Sequence, residues 1–365
     1  NDGSVLNDLS AGLDDISVSA HGSGNILIEA GGATFSIEAN SDLLSGSGHI
    51  SLVANTDITL SDSADVVTAG SGTILLDAQN GSLDQADNSR LVAVDGDIRV
   101  WAMDSIVLGG ITTDAKVSLV AQSGSISDAG DSSGGEDVIA MGLRMEAGIG
   151  IGSSTDRIET QVDVLSARAT SGGIFIEETD GLAIDGLNTS VERVQANSET
   201  NSETEALLSD VRTTAGNGSI VIRTLAGDFS LNYGANPSDN VAVTAHGSGN
   251  IRLEAAGAGT DLLANADILS GTGHITLLAQ RDITLIADAD VTTGDAGTVR
   301  VVASSGSVEM DDASLISSLS GAIQVQAGAS ILVGGISTTG NVSLIADSGS
   351  IIDNVNTTAD LVADG

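Results

Sequence analysis

Gly24-Asn25-Ile26-Leu27-Ile28-Glu29-Ala30 returns at a constant step of 24 residues as Gly48-His49-Ile50-Ser51-Leu52-Val53-Ala54, Gly72-Thr73-Ile74-Leu75-Leu76-Asp77-Ala78 and Gly96-Asp97-Ile98-Arg99-Val100-Trp101-Ala102. Alternate positions of the four heptads form columns. Ile26, Ile50, Ile74 and Ile98 make one; Ile28, Leu52, Leu76 and Val100 a second; Ala30, Ala54, Ala78 and Ala102 a third. The residues between them are mixed in character. Period-two alternation marks a strand with one buried face, and the fixed spacing sets equivalent residues over one another.

Two further strand-like segments fall within each period. One is residues 57–60 (DITL), echoed by 81–84, 105–108 and 124–127; the other is 65–69 (DVVTA), echoed by 90–94 and 110–114. Gly, Asn, Asp and Ser separate them, as turn chemistry requires. Three short strands and three turns describe one coil of a triangular β-solenoid. The expected fold is all-β, a right-handed parallel β-helix with about 24 residues per coil and some shorter coils, such as the step from Ile98 to Val117. Helices fit poorly, because glycine is frequent and the apolar period is two, not 3.6. The only proline, Pro237, agrees with a backbone whose N–H groups donate to the next coil.

The coils belong to a longer repeat. Residues 16–140 reappear as 241–365, shifted by 225 positions with no gap. Ala20-His21-Gly22-Ser23-Gly24-Asn25-Ile26, for example, returns as Ala245-His246-Gly247-Ser248-Gly249-Asn250-Ile251. The expected organisation is residues 1–15 as the end of a preceding unit, 16–240 as one full repeat and 241–365 as a partial second copy continuous with it. With Asn1 at its start and its end inside the second copy, the chain reads as an internal or processed portion of a longer protein. Between about 131 and 215 the rhythm loosens, and the polar stretch near 196–210 (ANSETNSETEALLSD) reads as an insertion projecting from one edge.

Fifty acidic residues against twelve basic ones give a formal charge of −38, and Lys116 is the only lysine. Nucleic acid is thereby disfavoured as a partner, since phosphate binding needs clustered Lys and Arg. Anionic membrane surfaces are disfavoured on the same ground, and no apolar run approaches the ~20 residues of a membrane-spanning helix. Without cysteine, disulfides and Cys-based zinc sites are ruled out.

Asp128, Asp131, Glu136 and Asp137 cluster in one loop and are candidate Ca²⁺ ligands, because calcium takes carboxylate oxygens. Against them, an ungapped second copy replaces Asp131 by Asn356 and Glu136 by Leu361. His21, His49, His246 and His274 each sit beside glycine and read as turn residues, not metal ligands. A polysaccharide-degrading β-helix enzyme is the alternative, and such enzymes set several carboxylates on neighbouring coils with basic helpers. The basic partners and aromatic platforms are missing, with only Trp101 and Tyr233 far apart in sequence. No phosphate loop, dinucleotide fingerprint or Ser-His-Asp set is present. No catalytic or cofactor-binding residue is therefore assigned, and the expectation is not an enzyme.

The recurring G-x-I-x-L-x-A pattern at residues 24–30, 48–54, 72–78, 96–102, 249–255, 273–279, 297–303 and 321–327 resembles the large bacterial exoproteins of the filamentous haemagglutinin type. The resemblance implies a right-handed parallel β-helix, secretion or display at the cell surface, and a role in adhesion or extracellular fibres. Its expected partners are further copies of the repeat end to end, and a cell-surface glycan or protein.

Overall fold

The structure is a computed structural model that describes residues 3–6, 16–62, 64–130, 135–234, 239–286, 288–354 and 360–363. Pro237, Asp131 and Asn356 lie outside the described residues. All regular elements among those described are strands, as the glycine content and period-two pattern require. The strands form a parallel β-solenoid, organised as two compact units. One comprises residues 1–162 with 187–208, the other residues 163–186 with 209–365.

The regular coils contribute one strand to each of three columns, and the single strand Val138–Ala147 serves two of them. In the first unit Ile26, Ile50, Ile74, Ile98, Val117 and Leu143 pair in succession, all in parallel register. Ile37, Ile58, Leu83, Ile106 and Ile126 form the second column. The third is Leu43, Val66, Leu91, Ile111 and Val138. In the second unit the first column runs Ile174, Ile220, Ile251, Ile275, Val299, Ile323 and Val342. The short coil expected from Ile98 to Val117 is present, and the second copy has another from Ile323 to Val342.

The inward aliphatic residues supply the core. Ile50, Leu52, Ile74, Leu76, Ile98 and Val100 have no exposure at all, nor have Ile275, Leu277 and Val301. Such burial is worth roughly 1.5–3 kcal/mol for each large side chain. It is available only because the neighbouring coils cover both edges of each layer.

The glycine that opens each heptad is there for lack of space. A Cβ on Gly48 would lie 2.1 Å from the Gly24 carbonyl oxygen, on Gly96 1.8 Å from that of Gly72, and on Gly321 1.9 Å from that of Gly297. The carbonyls of Gly48, Gly96 and Gly321 in turn receive buried hydroxyls. Thr68 Oγ1 donates to Gly48 O at 2.6 Å, Thr113 to Gly96 O at 2.8 Å and Thr338 to Gly321 O at 2.7 Å. The corner thus packs backbone on backbone, and each buried Thr satisfies its own polar atom there.

At other corners a side chain from one coil takes a backbone N–H from the next. Asn25 Oδ1 accepts from His49 N at 2.8 Å, and His49 Nδ1 from Thr73 N at 3.1 Å. Asp42 Oδ1 accepts from Asp65 N at 2.9 Å, and Asp65 Oδ1 from Arg90 N at 2.8 Å. The second copy repeats the first of these series, with Asn250 to His274 N and His274 Nδ1 to Thr298 N. Turn-rich Asn, Asp and His are therefore axial connectors, which accounts for histidine beside glycine.

Two expectations need correction. The polar stretch near 196–210 does not project from an edge. It is part of an antiparallel hairpin, Ser190–Val194 with Thr200–Thr204, that lies flat on the first unit's own strands. The second copy is also not free of gaps. Ile111 pairs with Val138, whereas its equivalent Ile336 pairs with Leu361, so this coil is two residues shorter.

Candidate functional site

Three carboxylates meet in the first unit where the loosened region begins. Asp128 ends the strand Ile126–Asp128, Asp137 precedes the strand Val138–Ala147, and Glu159 is the second residue of the strand Ile158–Ala169. One oxygen from each lies within 4.8 Å of the others. Asp137 is one of the axial connectors, its Oδ2 accepting from Glu159 N at 3.0 Å. Asp128 Oδ1 accepts from Gly130 N at 2.9 Å, while its Oδ2 is buried without a hydrogen-bond partner. Asp128 and Asp137 are only 7% and 5% exposed. Burial, and then the facing charge of Asp128, push the Asp137 carboxyl up to about 9.

Of the four sequence candidates, the structure brings Asp128 and Asp137 together. Glu136, one residue away, is half-buried and outside this cluster. Glu159 was invisible in the sequence because it belongs to the next coil, beyond a loop of irregular length. The two-residue shortening also changes the reading of the second copy. Asp360 precedes Leu361 as Asp137 precedes Val138, and Asp353 ends its strand as Asp128 does. A hydrogen bond with Asp360 raises the Asp353 carboxyl above the usual range. The acidic pair therefore recurs; an alignment without gaps conceals it.

The second feature is the hairpin. Alternate amides of its first strand reach successive coils. Ser190 N donates to Asp97 Oδ2 at 2.8 Å, Glu192 N to Thr73 Oγ1 at 2.9 Å and Val194 N to Ser51 Oγ at 2.9 Å. Two residues advance about 6.6 Å along a strand while coils stack about 4.8 Å apart, so the hairpin crosses the coils obliquely. Asn25 Nδ2 reaches the Ser198 carbonyl at the tip. At the base, Leu187 packs where a Cβ on Gly142 would come within 2.9 Å of it.

Ion pairs hold the second strand, which carries no apolar side chain. Arg99 meets Glu205 at 2.5 Å and Glu203 at 3.3 Å, and Arg193 bridges Asp77 at 3.1 Å and Glu203 at 3.3 Å. Arg144, almost fully buried, contacts Glu146 and donates to the Ala206 carbonyl at 3.1 Å. Trp101 is half-buried on this strap-bearing sheet, and Tyr233 of the second unit is 43% exposed.

No family model, curated protein or solved structure matches this chain.

Proposed function

We propose that the chain is a structural and adhesive segment of a large extracellular bacterial repeat protein of the filamentous haemagglutinin type, contributing to a surface fibre that mediates cell contact. The observation that carries this reading is the parallel pairing of the columns within each unit, in register except for shifts at Ile16/Val18 and Val241/Val243. Every coil offers the next the same ladder of backbone groups and the same aliphatic layer, so added coils cost no new design. The surplus of 38 negative charges opposes lateral collapse of such segments. The reading assigns no catalysis to the chain.

Electron microscopy of the intact protein tests this. Elongated particles of constant width are expected, and compact particles without a long dimension would overturn the reading. Filaments of fixed axial period identify the fibre role, and saturable binding to cells bearing a particular glycan or protein identifies the adhesive one.

A further inference from the structure

We propose that Asp128, Asp137 and Glu159 form a site for one hard divalent cation, calcium in the first place, which ties two successive coils of the first unit together. The donor set is all oxygen and all carboxylate, the preference of Ca²⁺; zinc and copper favour the imidazole or thiolate that the site lacks. The spacing fits as well. Calcium–oxygen bonds of about 2.3–2.6 Å set opposite ligands no more than roughly 5 Å apart, and the three oxygens lie within 4.8 Å of one another.

The independent sign of a ligand is Asp128 Oδ2. It is buried on a residue only 7% exposed and no N–H or hydroxyl donor reaches it; the side chain lies against that of Asp137, another acid. A buried acceptor left unmatched is costly. Other acidic connectors satisfy themselves differently: Asp261 is matched by the Arg281 guanidinium. Among the described residues, neither Asp128 nor Asp137 has a Lys or Arg partner.

The location gives the ion a task. Asp128 ends one strand of a coil and Asp137 immediately precedes the next, Val138–Ala147. Asp137 N donates to the Glu159 carbonyl, so Glu159 lies on the next coil. The ion would thus join two successive coils at the place where the spacing between strands differs between the repeats. The pair recurs as Asp353 and Asp360 despite that change in spacing, which is the pattern expected of residues kept for a shared ligand.

The test is a calorimetric titration of CaCl₂ into the full chain after chelation, paired with hydrogen exchange with and without Ca²⁺. One saturable event is expected whose affinity falls at least tenfold in Asp137→Asn and in Glu159→Gln. Asn keeps an oxygen for the Glu159 amide, so the coil itself is retained. Exchange in the unaltered chain is expected to slow at residues 126–130, 137–140 and 158–161, a readout independent of any variant. Heats unchanged in both variants would assign the ions to the diffuse acidic surface and overturn the proposal. So would the absence of saturable binding, or slowed exchange spread evenly along the chain.

Discussion

The strands Ile50–Ala54 and Ile74–Ala78 of the first unit and their equivalents Ile275–Ala279 and Val299–Ala303 of the second share one inward column and differ on the outer face. Under the hairpin, Ser51, Val53, Leu75 and Asp77 are all buried. In the second unit the same positions are Thr276, Leu278, Arg300 and Val302, half-buried or exposed. The inward residues answer to the stack, which is common to both copies. The outward residues answer to whatever covers them. Asp77 and Arg99, which pair with the hairpin's charges, become Val302 and Gln324, which no hairpin covers among the described residues.

The largest expected effect concerns what the two regions share. Gly96→Val and Gly321→Val each drive a side chain into a carbonyl less than 2 Å from the first added atom. Each should cost more than about 3 kcal/mol, read as loss of amide protection in the coils on either side. If only one of the pair is damaging, the corners are not equivalent.

Leu75→Arg then separates the regions. It installs the residue found at 300 beneath the hairpin, where it is unpaired, and should cost about 2 kcal/mol or more. Exchange at residues 190–194 should rise. The reciprocal Arg300→Leu, on an open face, should stay within about 0.5 kcal/mol. Arg99→Gln copies the second unit's residue and removes two partly buried carboxylate contacts. A loss of about 1–2 kcal/mol, confined to the hairpin, is expected.

The smallest effect is on pH. Burial lowers the His49 pKa below 6.5, and its Nδ1 must stay unprotonated to accept from Thr73 N. Its contribution is present above 6.5 and is lost as pH falls through the lowered folded value. Burial instead raises Asp267 to about 6. Its contribution is full below 3.8 and declines as pH rises through about 6. Histidine and carboxyl NMR titrations should show these opposite signs, with acid loosening the Thr73 amide and tightening the surroundings of Asp267.

The columns were legible because inward residues must repeat wherever coils repeat. The hairpin was not. Its second strand, Thr200–Thr204, has no apolar residue, and it is held by Arg193 of its own hairpin and by Arg99, 104 positions from Glu203. A faint trace existed in the covered strands, where ILLDA and KVSLVA lose strict alternation. Glu159 required the register of a coil that the sequence spacing does not supply. The recurrence of the aspartate pair required a deletion that the aliphatic ladders, intact on either side, do not reveal.

The central claim is that successive coils lie side by side, parallel and in register. The chain has no native thiol, so a cysteine pair reports this directly. Arg252 and Thr276 are partners on the open face, and strands about 4.8 Å apart fall within disulfide reach. Mild oxidation of the Arg252→Cys/Thr276→Cys chain should give an internal disulfide rapidly, while Arg252→Cys/Ile275→Cys, one residue out of register and facing the core, should not. Equal yields from both pairs, or linkage only in the second, would contradict the stacked-coil account.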